Sequence, residues 1–276
     1  MQQRPIASMA PRSARPPAQI DYATPVAWWG WSWEPPVPMS IPELVAAGDL
    51  DARTAALAWV VLAAHGSAIV AAEQPHAGKT TTLTALLDLV PARVTRAYLR
   101  GGAETFDFLG RTDPSTTLLL ANELSSHLPV YLWGAKAVRA FRALREGYAL
   151  AATLHADSAA EAVAQLRDEL GVPAADIARI DLLVVMRRRR VASVHRIAAD
   201  GALVSLVDDA WRHDRAAEAA LVAERLGRPS TAAAERAIAT RTLHIADLAR
   251  RGIVGPGDVI AALAPLDDLN DEGDPS

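Results

Sequence analysis

Apolar and polar positions alternate in blocks along the middle of the chain. Short apolar runs of strand length are separated by segments in which apolar residues recur at helical spacing. The strand-like runs are 67–72, 94–99, 116–121 and 148–154, and the helical segments include 129–145 and 158–170. Strands that alternate with helices form a mostly parallel sheet covered on both faces. The pattern therefore predicts an α/β fold.

Other patterns lie on either side of this α/β region. Ser40 and Glu43 have the spacing of a capping box, so a helix is expected to begin there and to end near Gly48. A second helix is expected over 51–64. Toward the carboxyl end, the pattern predicts a β-meander over 180–186, 191–198 and 202–207, with turns at 187–190 and 200–201. Helices are expected over 216–226, 231–251, with a break inside, and 258–263.

These patterns divide the chain into four predicted parts. Residues 1–39 are rich in proline, alanine and arginine without a helical or strand period, and are expected to form an extended or disordered arm. The other parts are an α/β domain over 40–210, a small helical C-terminal unit over 211–266 and an acidic disordered tail over 267–276. The arm carries four of the seven tryptophans, Trp28, Trp29, Trp31 and Trp33. These side chains either pack on the protein's own domain or dock on a neighbouring subunit or partner.

Composition limits the classes of function. A net charge of −4 and a pI near 6.0 argue against a general affinity for nucleic acid or anionic membranes. The absence of cysteine excludes disulfides, thiolate metal sites and cysteine nucleophiles. The longest apolar run, 55–64, is about half the ~20 residues that a membrane span needs. The arginine run at 187–190 is expected to be a solvated hairpin tip, or a contact with a subunit or an anionic partner.

Residues 67–87 predict a buried strand, a loop and an amphipathic helix, with Gly78, Lys79 and Thr80 at the junction. Of the 28 basic residues only Lys79 and Lys136 are lysines, and an ammonium group is the point charge that a phosphate-binding loop uses. Backbone amides at such a helix start surround phosphate oxygens, and the Thr80 hydroxyl can hold Mg²⁺. The predicted nucleotide contacts are His76, Ala77, Gly78, Lys79, Thr80 and Thr81.

One position departs from the phosphate-loop pattern G-x-x-x-x-G-K-[ST], which has glycine where this chain has Glu73. A carboxylate ~5 Å from a phosphate would cost on the order of 1 to 3 kcal/mol at the dielectric of a protein surface, unless it turns outward. His76 replaces a residue that is often glycine, but histidine tolerates a positive φ better than most residues. Nucleotide binding at Lys79 is expected, and Glu73 puts hydrolysis in question.

Two further polar side chains follow predicted strands. Glu123 comes after the run 116–121, and His155 comes directly after the run 148–154. Because the carboxyl ends of parallel strands meet at one edge of a sheet, both side chains are expected to converge with Lys79 on one crevice. Nucleotide hydrolases use a carboxylate in this position to order Mg²⁺ or the attacking water. Thr80 and Glu123 are therefore the predicted metal contacts.

Together these motifs resemble the ATPases of type II and type IV secretion systems, including pilus motors. Residues 69–81 resemble their Walker A strand and loop, 118–123 their Walker B motif, and 147–159 their histidine box. The resemblance covers about residues 40–210 and implies a RecA-like P-loop fold. It also implies that Glu123 is the Walker B acid and that His155 senses the terminal phosphate. The carboxylate that polarises water would then be Glu104 or Asp107.

The resemblance implies an ATPase with ATP and Mg²⁺ as cofactors. It also implies that the subunits assemble into a hexameric ring. Such a ring would lie in the cytoplasm at the inner face of the cell membrane. Its expected partner is an inner-membrane platform protein of a pilus or secretion system. No specific nucleic acid is expected as a partner. The domain that many relatives place before the motor is missing, unless residues 1–39 stand in for it. Together with Glu73, this keeps a second hypothesis open, namely a catalytically impaired nucleotide-binding scaffold subunit.

Overall fold

The computed structural model describes residues 21–25, 39–72, 77–227 and 230–267. The predictions for Trp28, Trp29, Trp31, Trp33, Glu73, His76 and the tail beyond residue 267 lie outside these ranges. The strands within them are β1 Ala68–Ala71, β2 Thr95–Tyr98, β3 Thr117–Leu124, β4 Ala149–Leu154, β5 Leu182–Arg187, β6 Arg190–Ile197 and β7 Leu203–Val207. The helices are α1 Ile41–Ala47, α2 Ala52–Ala63, α3 Lys79–Leu86, α4 Gly134–Ala143, α5 Ala159–Ala164, α6 Ala174–Ile177, α7 Arg215–Arg225, α8 Thr231–Arg250 and α9 Pro256–Asp267.

The seven strands form one sheet in the order β2-β3-β4-β1-β5-β6-β7. The first five strands in this order are parallel, and β6 and β7 continue the sheet as an antiparallel meander. The predicted α/β class, the mostly parallel sheet and the terminal meander are confirmed. β1 lies in the interior of the sheet between β4 and β5, so its carboxyl end is at the middle of one sheet edge.

Apolar cores cover both faces of the sheet, because side chains alternate between the faces along each strand. In β1, Val70 belongs to the core shared with α1, α2, α3 and the C-terminal helices α7 to α9, whereas Ile69 belongs to the core shared with α4, α5 and α6. Burial on both faces explains why the parallel strands are continuous apolar runs in the sequence. The helices of the predicted C-terminal unit thus contribute to the same core as α2 and the sheet.

Side-chain caps define the first two helices as predicted. The Ser40 amide donates to Glu43 at 2.9 Å and the Glu43 amide donates to the Ser40 hydroxyl at 3.4 Å, which completes the capping box of α1. Gly48 ends this helix at φ 75°, in the left-handed region that favours glycine. Asp51 then accepts from the amides of Arg53 and Thr54 at the start of α2. Local sequence signals therefore place both helices.

Two later helices differ from expectation. α4 begins at Gly134 instead of residue 129, because the Leu132 amide donates to the Glu123 carbonyl at 2.8 Å and holds Leu132 in a bridge beside β3 after a turn. α8 runs unbroken from Thr231 to Arg250, so the predicted break was wrong. Buried residues recur along all of α8, and tertiary packing of such a face outweighs the weak helix propensity of its threonines.

A short part of the predicted arm lies against the edge of the sheet. The Tyr98 amide in β2 donates to the Tyr22 carbonyl at 2.9 Å, and the Tyr22 ring packs edge-on against Phe108 with ring centroids 4.7 Å apart. Residues 21–25 are thereby fixed next to the loop that follows β2. Among the described residues, no helix is long and apolar enough to cross a membrane.

Candidate functional site

The phosphate-binding loop predicted from the sequence leads from β1 into α3. Gly78 precedes the helix at φ 89°, and the start of α3 carries no side-chain cap, so the first amides and the positive end of the helix dipole face the loop. Ala77 is buried, Thr80 is half-buried and Thr81 is exposed on the first turn. A helix start of this kind is suited to binding an anion. Residues 73–76 of the loop, with Glu73 and His76, are outside the described ranges.

Lys79 lies beneath the end of the sheet with only 8 % of its surface exposed. Its Nζ donates to the Ala72 carbonyl at 3.3 Å and lies 3.3 Å from Nδ1 of His155. Burial lowers the pKa of Lys79, and the nearby charge of Glu123 opposes that shift. The ammonium group is therefore held where additional negative charge would stabilise its charged form.

Glu123 and His155 meet at the ends of adjacent strands. Nε2 of His155 lies 2.9 Å from Oε1 of Glu123, whose side chain is almost fully buried. Because Nδ1 of His155 faces the Lys79 ammonium, the neighbours favour the tautomer that carries its proton on Nε2. One histidine ring thus contacts both the lysine and the carboxylate.

A bulge in β3 positions Glu123. The sequence places the end of this strand at residue 121, but β3 continues to Leu124, and its register against β4 shifts between Ala121 and Leu124. The Thr153 hydroxyl in β4 donates to the Asn122 carbonyl at 2.5 Å within the shift. Bulges redirect side chains and recur next to active sites. This bulge sets the direction of Glu123 toward His155.

The side chains present fit the predicted Mg²⁺ site. Although Oε1 of Glu123 is near His155, no donor in the described part of the chain is aligned for a hydrogen bond with this buried oxygen. Such an oxygen is suited to accept from a metal-bound water. In the same ranges no cluster of three or more His, Asp or Glu side chains could hold a metal. Mg²⁺ in nucleotide sites is commonly held by one or two protein ligands together with phosphate oxygens, and Thr80 and Glu123 match that requirement.

The two candidates for the water-polarising carboxylate follow β2, the edge strand that pairs with β3. Glu104 is buried and accepts from the amides of Arg100 and Phe106 at 2.7 and 2.6 Å, and from the Tyr22 hydroxyl at 2.7 Å. Asp107 is exposed, and its side chain makes no hydrogen bond or ion pair within the described ranges. Neither carboxylate is bonded to Lys79, Glu123 or His155. The structure therefore joins three predicted site residues by direct contacts, and these two carboxylates make no hydrogen bond or ion pair with them.

His127 is a neighbour of the site that the sequence did not indicate. Its ring centroid lies 6.2 Å from that of His155, and it is exposed. The Ser125 hydroxyl accepts from the His127 amide at 3.2 Å and supports the turn after β3. The position of His127 four residues after Glu123 was the available signal, but only the turn brings the ring back toward β4.

Comparison with known proteins yields similar solved structures. No protein-family model matches the sequence, and no curated protein matches it. One similar structure is the X-ray structure of the ATPase DotB from Yersinia pseudotuberculosis, with a sequence identity of 14% and a TM-score of 0.38. The match covers 84% of this chain and 64% of that chain. For the ATPase DotB from Legionella pneumophila the identity is 14% over 78% and 58% of the two chains, with a TM-score of 0.36. The chain spans less than two thirds of the length of either structure.

Proposed function

We propose that this chain is the ATP-binding and hydrolysing motor subunit of a type II/type IV secretion system or of a type IV pilus-like system. The observation that carries the proposal is the contact series from Lys79 through His155 to Glu123, with distances of 3.3 and 2.9 Å. It lies beside the start of α3, where the first amides face the loop. The group combines a cation and amides for phosphate with a carboxylate for a metal or water.

Each side chain has a role in this proposal. The amides of residues 77–80 and Nζ of Lys79 bind phosphate oxygens, which bring negative charge to an ammonium group whose burial disfavours its charged form. Thr80 and Glu123 would hold Mg²⁺, which when bound would neutralise part of the phosphate charge. Glu123 orients the attacking water from its buried position at the bulge of β3.

His155 is proposed to report the state of the terminal phosphate. Its ring contacts Lys79 through Nδ1 and faces Glu123 through Nε2. A phosphate that draws the lysine ammonium toward itself weakens the first contact and leaves the ring free to pair more closely with Glu123. Phosphate binding at α3 is thereby coupled to the end of β4 and to the helix that follows it.

The assembly is proposed from the resemblance of the sequence motifs. The chain would form a hexameric ring at the cytoplasmic face of the inner membrane, with a platform protein of the pilus or secretion system as its partner. Hydrolysis in one subunit would then move its neighbours. The mass of the protein in Mg-ATP, measured by light scattering, tests this assembly, and a monomer mass under those conditions would contradict it.

Phosphate release at saturating Mg-ATP tests the ATPase activity. We expect Lys79→Ala to reduce turnover by about a hundredfold or more, because it removes the side-chain cation at the phosphates. The control is Lys136→Ala, which changes the only other lysine of the chain, located on α4, and should retain turnover. Glu123→Gln should bind ATP and fail to release phosphate.

The same measurements separate the motor from the catalytically impaired scaffold, which Glu73 at the first glycine position of the loop favours. Binding of labelled ATP by the wild-type protein, with turnover no higher than in Lys79→Ala, would support the scaffold. Absence of ATP binding by the folded wild-type protein would refute both functions.

A further inference from the structure

The turn between β5 and β6 is built from arginines in an unusual backbone conformation. Arg188 and Arg189 have φ values of 53° and 67°, in the left-handed region that Asn and Gly adopt most readily in two-residue hairpin turns. The left-handed conformation is unfavourable for an arginine backbone, so local backbone preference does not explain arginine at both positions. The turn lies at the tip of the meander, where its side chains are exposed.

The tip of this hairpin lies against the phosphate-binding loop. A Cβ atom built on Gly78 would be 3.8 Å from Cα and 4.0 Å from Cβ of Arg189, and 3.4 Å from Cε of Met186. The Arg189 backbone therefore lies within about one side-chain atom of contact with Gly78, the residue that precedes α3. The Arg189 side chain therefore starts next to the amides that are proposed to bind phosphate.

The arginines of the tip differ in what they contact. Arg190 donates from Nε to the Gly48 carbonyl at 3.0 Å and stacks over the Trp211 ring at 4.5 Å, so it holds the hairpin to the domain. The side chains of Arg187, Arg188 and Arg189 make no hydrogen bond or ion pair with any residue that the structure describes. Arg187 and Arg188 line a cavity of about 400 Å³ beside Trp211. Arg189 is not part of that lining, and its backbone instead lies next to Gly78.

We propose that Arg189 binds the phosphate chain of the nucleotide held by Gly78, Lys79 and Thr80 of the same subunit. The inference rests on the proposed function, because it needs a nucleotide at this loop. A guanidinium group forms bidentate hydrogen bonds with phosphate oxygens that an ammonium group cannot form. Arg189 adds this geometry to the point charge of Lys79. Its neighbours in the run raise the positive potential through which the nucleotide approaches.

Binding of Mg-ATP to the full chain, measured by isothermal titration calorimetry, tests the proposal. Arg189→Asn should weaken binding by about tenfold, since it removes a charge-assisted hydrogen bond to phosphate. Arg188→Asn is a matched control: it removes the same charge from the adjacent left-handed position, and Asn tolerates that backbone in both variants. Arg188→Asn should change the dissociation constant for Mg-ATP by less than about twofold, because removing an exposed charge has a small effect. Thermal unfolding verifies that both variants are folded.

Two results would overturn the assignment of Arg189. Equal weakening in both variants would show that only the summed charge of the tip acts, and unchanged binding in Arg189→Asn would show that the side chain does not contact the nucleotide. In either case binding of Mg-ATP by the wild-type protein, lost in Lys79→Ala, together with phosphate release by the wild-type protein would leave the proposed function in place. Failure of the folded wild-type protein to bind would refute the proposed function, and this inference with it.

Discussion

Glu104 uses both carboxylate oxygens to hold the segment that surrounds it. Oε2 accepts from the Arg100 amide, and Oε1 accepts from the Phe106 amide and the Tyr22 hydroxyl. Burial, together with the charge of Glu104, raises the pKa of Tyr22 to about 12, so the hydroxyl remains a donor at neutral pH. Since Phe106 has φ 60°, the loop also contains a backbone conformation that needs support. These contacts describe a residue that fixes a loop.

We expect Glu104→Gln to lower the free energy of unfolding by about 1 to 3 kcal/mol, because one face of the amide would present a donor to a backbone N–H. Asp107→Asn is the control, and its effect should stay within about 0.5 kcal/mol because the side chain is exposed. Urea unfolding of the two variants measures the difference. Unchanged stability of Glu104→Gln together with lost phosphate release would instead identify Glu104 as the water-polarising base.

α8 is stabilised by one face over its whole length. Ala234, Ile238, Ile245 and Leu248 are buried, and they share their core with Trp59 of α2. The opposite face of α8 is solvent-exposed and carries Leu243, which is 74% exposed. Two aliphatic side chains on one helix, Ile238 and Leu243, thus have opposite environments.

Ile238→Ala should lower the free energy of unfolding by about 2 to 4 kcal/mol, because it removes buried methyl and methylene groups and leaves a cavity beside α2. Leu243→Ala is the matched control on the same helix and should change it by less than about 0.5 kcal/mol. Urea unfolding with a common slope compares the two. Similar losses in both variants would mean that the outer face of α8 is also covered.

A charged network connects three distant parts of the chain. It consists of Asp51, Arg53, His213, Glu218 and Glu235. Arg53 donates from Nε to Glu218 at 2.8 Å and from Nη2 to Glu235 at 2.6 Å, which joins α2 to α7 and α8. His213 lies 2.5 Å from Glu218 and 3.2 Å from Asp51. The network therefore orients the C-terminal helices on the α/β domain, in addition to the shared apolar core.

His213 makes the free energy of unfolding of the whole molecule decrease in the alkaline pH range. Burial acts to lower its pKa, but Asp51 and Glu218 outweigh burial and raise the pKa to about 9. Because this value lies above the ordinary value of 6.5, protonated His213 stabilises the folded state fully below about pH 6.5. We expect the free energy of unfolding to fall by on the order of 2 kcal/mol as the pH rises through about 9.

Unfolding free energies at pH 6.5 and 9.5, measured in wild type and two histidine variants, test this dependence. His213→Gln should remove the His213 contribution to the alkaline loss of stability. His195→Gln should retain it, because burial lowers the pKa of His195 and places its titration below this window. The same loss in wild type and His213→Gln would exclude His213 as its source.

Local sequence signals predicted most of the fold. The capping box at Ser40, the alternation of apolar strands with helices, and the turn at 187–190 depend on neighbouring residues, and each is found where expected. The break expected within 231–251 was wrong, because packing against α2 supports a helix whose own sequence is weak. The end of β3 was placed too early, because its bulge depends on pairing with β4. Errors therefore occur where a distant contact outweighs local preference.

The sequence by itself determined the strand, loop and helix around Lys79, because Gly78, the buried strand and the helix start are close together in the chain. The sequence also predicted that Glu123 and His155 converge with Lys79, and only the tertiary structure decided which atoms are in direct contact. His155 is 76 positions further along the chain, and it reaches Lys79 because β1 and β4 pair in parallel. The same sheet places Glu104 after the edge strand β2 and brings the Arg189 turn next to Gly78. Spacing along a chain does not encode these contacts, because strand order and register arise from packing of the whole sheet.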